Sequence, residues 1–156
     1  MTKLIEQIET ALPPEAAFAF VADFANAMAW DPGVATSERV DDGPPRVGSR
    51  YRLGVRLAGR VAPMEYRISV FEPSRQVVLV GAGSGVSAVD DLRFTPAGTG
   101  TRIDYTADIR LTGLLRLVQP FLGGQFARIG REALDGMKRT LDARAQALTA
   151  APIEPT

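Results

Sequence analysis

Among 156 residues there is no histidine and no cysteine, so the commonest general base, the commonest metal ligand and the most reactive nucleophile are missing. The residues that the alternation singles out for chemistry are carboxylates and phenols. Asp90 shares its alternation phase with Ala88, Leu92 and Phe94, which turns it toward the apolar side of a strand. A carboxyl in an apolar cavity has its pKa raised by desolvation, the way a general acid or base is made. Asp90 is therefore the catalytic candidate, and Asp91 takes the wet face. A bulge near Gly85 would exchange the two, because a slip of one residue inverts a strand. Tyr51, Tyr66 and Tyr105 fall on dry phases too, and a buried phenol brings an apolar body and a donor in need of a partner. They either orient the carbonyl of a bound molecule or cap the core with their hydroxyls in water.

Other candidates have simpler readings. Trp30 could line a pocket mouth, but Trp30 and Asp31 are also explained by the turn at Trp30-Asp31-Pro32-Gly33, where a short acid bonds backbone donors. Glu65 is out of phase with Tyr66 and Ile68, so it faces water and pairs with an arginine on the next strand. Gly81, Gly83 and Gly85 mimic a phosphate loop, yet no Lys-Ser/Thr follows and the segment joins two strands, so a hairpin is the better reading. Arg46, Arg50, Arg52, Arg56 and Arg60 make a basic stripe, read as a solvated sheet face. Scattered Asp and Glu lack metal-site spacing, so no metal and no cofactor is expected.

These residues must be carried by three kinds of element. Residues 3–10 read as a strand. Pro13-Pro14 opens an amphipathic helix in which Ala17, Phe18, Val21, Ala22, Phe24 and Ala25 recur at helical spacing, with a break near Asp23. From Val34 to Leu111 alternation takes over, and turn residues at 42–45, 58–59, 73–74, 83–85 and 96–100 divide it into six hairpin-connected strands. Helical spacing then returns, with Leu122, Phe126, Ile129, Ala133, Met137, Leu141 and Leu148 on one stripe. Pro120 and Gly123-Gly124 weaken its first turns and offer a hinge.

Size and composition fit one domain over residues 1–150 with a loose tail at 151–156. Eighteen basic and eighteen acidic groups leave no net field for nucleic acid or anionic lipid. No run reaches the roughly 18 apolar residues of a membrane span, and Met1-Thr2-Lys3-Leu4 leads into a strand without the apolar stretch of a signal peptide. Neither nucleic-acid binding nor stable membrane insertion is expected, and the expected location is cytoplasmic.

The order of these elements, with the phrases PPEAAFAFVADFANAMAWDPGV, VGSRY, YRISVFEPSRQV and LRFTPAGTGTRIDY, resembles the START-like, or Bet v 1-like (SRPBCC), superfamily. Within it the chain looks most like the bacterial polyketide cyclase/dehydrase branch. The resemblance covers residues 3–148. It implies an α+β helix-grip fold: a curved antiparallel sheet of about seven strands around a long C-terminal helix, with two short helices after the first strand. It further implies a cavity between sheet and helix for a lipid, polyketide or similar apolar molecule, and small residues at Gly54, Ala88, Ala107 and Ala133 leave room for one. The expected ligand-binding residues are Trp30, Tyr51, Leu53, Met64, Tyr66, Leu92, Tyr105, Phe126, Ile129 and Met137. The leading expectation is binding of a small hydrophobic molecule. One alternative is a metal-free cyclase or dehydratase acting on a polyketide-like chain; another is a module that meets a protein or a membrane quinone system.

Overall fold

The computed structural model describes residues 2–57 and 59–150; the tail 151–156 lies outside the described residues. Strand β1 (Thr2–Thr10) leads to helix α1 (Pro14–Val21), a 3₁₀ turn at Phe24–Asn26 and the one-turn helix α2 (Ala27–Trp30). Pro14 stands in the first turn of α1, where a missing N–H costs no intrahelical bond. The break after α1 falls at Asp23, whose carboxylate accepts from the Ala25 N–H at 3.1 Å and so caps the 3₁₀ turn.

Six strands follow: β2 (Val34–Arg39), β3 (Arg50–Leu57), β4 (Arg60–Glu72), β5 (Gln76–Gly83), β6 (Val86–Ala97) and β7 (Gly100–Leu111). Two 3₁₀ turns, Gly113–Leu117 and Gln119–Phe121, precede the long helix α3 (Gly123–Ala150). The strands form one antiparallel sheet in the order β1-β7-β6-β5-β4-β3-β2, the helix-grip arrangement. Register shifts between Val34 and Thr36 and between Ile68 and Val70 add local twist, as bulges do.

Strand β6 carries no such shift against β5 or β7. The Ser84-Gly85 turn before it has both residues at positive φ, 54° and 76°, the hairpin geometry that matches a right-handed twist. With no bulge at Gly85 the phase is preserved, and Ala88, Asp90, Leu92 and Phe94 all point to the buried side. Asp91 faces outward, where it accepts from Gln76 Nε2 at 3.0 Å. Glu65 also faces outward, 3.9 Å from Arg50.

The concave side of the sheet is filled unevenly. On the side of α1, Leu12, Val77, Leu79, Ile103, Leu134 and Leu141 are fully buried in one cluster. Phe18 stacks edge-on against Phe71 and Phe94, each at 5.2 Å, pairs worth about 0.5–1.5 kcal/mol beyond area burial. Toward the start of α3 the buried residues are Phe126, Gly130 and Ala133; Leu4 of β1 packs against Gly130, where a Cβ would stand 3.1 Å from its side chain, and Ala133 presents only a methyl. Two expectations are corrected here. Leu148 is exposed, because the last buried residue of α3 is Leu141 and the remaining turns run past the core. Gly54 does not face the concave side: a Cβ on it would meet Thr36 and Val61.

Helix α3 is clamped to α2 by close approach. A Cβ on Gly136 would stand 2.1 Å from the Trp30 carbonyl oxygen, and Thr140 Oγ1 donates to the Ala29 carbonyl at 3.2 Å. Gly136 is therefore what lets the helix seat the Trp30-Asp31 corner. Replacing it by Ala should cost about 2 kcal/mol or more, the range of core overpacking against a fixed backbone. Urea unfolding followed by the fluorescence of Trp30, the sole tryptophan, measures this, and a cost under about 0.5 kcal/mol would mean that α2 shifts freely.

Candidate functional site

Between the sheet and the first half of α3 lies a cavity of about 110 Å³. Its walls are mostly aliphatic and aromatic: Leu4, Val55, Val86 and Ile109 from the sheet, Phe24 and Val34 from the chain around α2, and Phe126 and Ala133 from α3. Trp30, Leu53, Met64, Tyr66, Asp90, Tyr105, Phe126 and Ile129, all named from the sequence, meet on its wall. Tyr51, Leu92 and Met137 do not. They are fully buried in the core behind that wall, Tyr51 with its ring 6.4 Å from the lining Phe24 and its hydroxyl without a hydrogen-bond partner among the described residues. Alternation told which face they occupy but not which half of that face is filled. Among the small residues, Ala88 and Ala133 line the cavity, while Ala107 packs with Leu4, Leu111 and Phe126.

Several polar side chains interrupt this apolar lining. Asp90 is 5% exposed and accepts a short hydrogen bond from the Tyr105 hydroxyl. Tyr105 is opposite Leu92 and Asp90 opposite Ala107, so the phenol reaches diagonally along the sheet. Desolvation pushes the Asp90 carboxyl up to about 6, against the lowering effect of the Tyr105 bond, and the Asp31 charge adds to the rise. Asp31, on the same cavity, is also pushed up to about 6, chiefly by burial, although the Gly33 N–H donates to it at 2.8 Å. The Gly33 bond fits the turn reading of Asp31, which in addition lines the cavity. Tyr66 lies against Gly81, where a Cβ would stand 2.4 Å from the ring. The bare glycine lets the ring lie on the neighbouring strand with its phenol on the cavity. Burial and the nearby Asp90 and Asp31 charges hold that phenol neutral, well above its ordinary pKa. Trp30 is also on the wall, and its buried indole N–H has no hydrogen-bond partner among the described residues.

The cavity opens toward a wider groove of about 460 Å³. Arg56, Leu57, Val86, Phe126 and Ile129 line both, and Arg60, Leu115, Val118 and Leu122 line only the groove. The basic stripe therefore divides. Arg50 and Arg52 pair with Glu65 and Glu38 across the sheet face. Arg46 bonds the Asp42 and Pro44 carbonyls of a loop rather than standing on a strand. Arg56 and Arg60 stand at the opening. Their role was not readable from alternation, which reports a face but not a position along it.

The arrangement encloses an apolar space whose wall carries a carboxyl and a phenol that share a hydrogen bond, together with the residue of the unpartnered indole N–H. A family model described as polyketide cyclase / dehydrase and lipid transport matches residues 1–142. No curated protein matches the chain at a significant level. Solved structures of similar fold include the Zhui aromatase/cyclase of Streptomyces sp. R1128, with TM-score 0.75, 14% identity and 96% of each chain covered. A START superfamily protein from Mycobacterium smegmatis has TM-score 0.70 and 19% identity, over 95% of this chain and 99% of that one. The protein TTHA0849 from Thermus thermophilus has TM-score 0.73 and 17% identity, again over 95% and 99%. At such identities these likenesses establish the fold alone.

The two raised carboxyls have a consequence for stability. A carboxyl whose pKa is about 6 when folded, against 3.8 ordinarily, binds its proton more tightly in the folded state. Its stabilising contribution is thus present below about pH 4 and is lost as pH rises to about 6. Asp90→Asn keeps an acceptor for Tyr105 but removes the buried charge. It should raise stability near pH 7 by about 1–3 kcal/mol and flatten the decline between pH 4 and 6. Urea midpoints across that range test it, and destabilisation of D90N at neutral pH would refute the burial account.

Proposed function

The chain belongs to the polyketide cyclase / dehydrase and lipid transport family, and we propose that it binds a small, elongated apolar molecule with its polar end among Asp90, Tyr105 and Trp30. The observation that carries this reading is the buried indole N–H without a partner on the wall of an apolar cavity. An unmatched buried donor costs about 1–3 kcal/mol, and a ligand carbonyl or hydroxyl offers the acceptor it lacks. At about 110 Å³ the inner cavity is smaller than the roughly 150 Å³ hole that admits benzene and takes a short chain or part of a ring. The groove beyond is within the range of small-molecule sites, about 300–1,000 Å³, so the ligand extends outward through the boundary formed by Phe126 and Ile129. Binding is driven by apolar burial at about 25 cal/mol per Å² before ordering costs.

A second reading, a cyclase or dehydratase, is favoured by one specific feature. Asp90 and Asp31 both titrate near 6, and Asp90 is in hydrogen-bond contact with a phenol. Near neutrality an ionised Asp90 can take the proton from a carbon between two carbonyls of a folded polyketide-like chain. The resulting enolate, its oxygen held by the indole N–H, adds to a further carbonyl of the same chain, and the new carbon–carbon bond leaves an alkoxide that takes the proton back from Asp90. A second removal of a proton from the same carbon, returned by Asp90 to the new hydroxyl, releases that hydroxyl as water.

Native mass spectrometry of protein purified from its own host, with extraction of whatever co-purifies, separates these readings. A stoichiometric apolar molecule that is absent from a folded Ala133→Phe variant, whose new ring occupies the cavity, supports binding. The same molecule retained by that variant would place the ligand elsewhere. Turnover of a linear poly-carbonyl chain that falls at least about a hundredfold in D90N supports the enzyme reading, whereas unchanged turnover removes Asp90 from the mechanism.

A further inference from the structure

The balance of charge over the whole chain conceals a separation. Residues 43–64 contain five arginines and no acid, and residues 109–131 contain four arginines and no acid. These two stretches supply the two sides of the outer groove: Arg56, Leu57, Arg60 and Val61 from one, Leu115, Val118 and Leu122 from the other. Arg56, Arg60 and Arg116 make no ion pair among the described residues.

The second stretch also carries large apolar side chains into solvent. Leu114 is 86% exposed, Phe121 83% and Leu117 67%, and from the first stretch Val61, which lines the groove with Leu115 and Val118, is 55% exposed. This presentation is held from within. The buried Gln119 side chain donates to the Ile109 carbonyl at 2.8 Å and to Thr2 Oγ1 at 3.1 Å, and accepts from the Leu111 N–H at 3.0 Å. Thr112 N–H donates to the Gly85 carbonyl at 2.8 Å. With Gln119 turned inward, the two 3₁₀ turns project Leu114, Leu117 and Phe121 outward.

We propose that this rim docks the protein on an anionic lipid bilayer, with Leu114, Leu117 and Phe121 entering the interfacial layer and Arg56, Arg60 and Arg116 meeting lipid phosphates. Protruding apolar side chains combined with unpaired arginines and no acid match the chemistry of such a surface, which binds through apolar burial plus attraction of cations to anionic headgroups. The groove then faces the membrane, and an apolar molecule passes from bilayer to cavity without crossing water. That purpose rests on the ligand reading above, but docking itself is measured with no ligand, so either can fail alone.

The test is sedimentation of the purified protein with vesicles of phosphatidylcholine alone and of phosphatidylcholine with phosphatidylglycerol. The expected result is binding to the anionic vesicles, weak binding to the neutral ones, and loss of binding at high salt. Leu117→Ser/Phe121→Ser, at exposed positions that leave the fold intact by circular dichroism, should weaken anionic-vesicle binding at least about tenfold. Arg116→Glu should weaken it by about fivefold or more. Absence of vesicle binding, or binding equal in these variants, overturns the proposal. So does a dimer in sedimentation velocity that L117S/F121S dissociates, because the rim would then be an interface between two copies of the chain.

Discussion

A single helix cannot fill the concave side of a seven-stranded sheet, and the site follows from that mismatch of volumes. At one end α1 and the Phe18–Phe71–Phe94 cluster supply the missing bulk. At the other end α3 presents only a methyl at Ala133, while Gly130 is met by the Leu4 side chain of β1. Close packing, at a density like that of organic crystals, holds in the first half; the second half is left as a cavity by the sizes of a few side chains. The corner at Trp30-Asp31 sits where the two halves meet, and Gly136 lets α3 approach it closely enough to fix the cavity wall.

Electrostatics in the cavity follows from the same geometry. Asp31 and Asp90 are removed from water without an ion-pair partner among the described residues, so each holds its proton to a pH near 6. A core optimised only for stability would carry apolar residues at these positions, since an unpaired buried charge costs far more than it returns. The Tyr105 bond to Asp90 offsets part of that cost and fixes the carboxyl's orientation. Stability given up at named polar positions within an otherwise apolar wall is the pattern expected of a binding or catalytic centre.

The surface shows a similar division between average and local properties. Net charge is zero, which argues against a general attraction to polyanions. Yet the stretches that meet at the groove carry arginines and no acid, and the acids lie elsewhere. A field that vanishes at a distance can still be strongly positive within a Debye length of one rim, about 10 Å at moderate salt.

Much of the fold was legible along the chain, because local patterns encode local structure. Period-two alternation identified the strands. Pro14 and Asp23 bounded α1, and Ser84-Gly85 supplied a turn that keeps Asp90 in its inward phase. Those same rules turned Asp90, Tyr66 and Tyr105 to the inner face. The division of that face was not legible: Tyr51, Leu92 and Met137 share the dry phase and are fully buried but do not line the cavity, because which inward residues reach it depends on how strands of different sequence position stack. Asp31 as a cavity carboxyl, Arg56 and Arg60 at the opening, and the inward Gln119 that turns its neighbours outward depend on contacts between segments far apart in the chain. Element type, the phase of most strand residues and the absence of thiol and imidazole chemistry could be read from residue identity and near neighbours, whereas the outward Gly54 and the unbulged register that keeps Asp90 inward came from strand pairing. The cavity, its raised carboxyls and its basic apolar rim come only with the assembled fold, since packing volume, desolvation and charge proximity arise when distant segments are brought together.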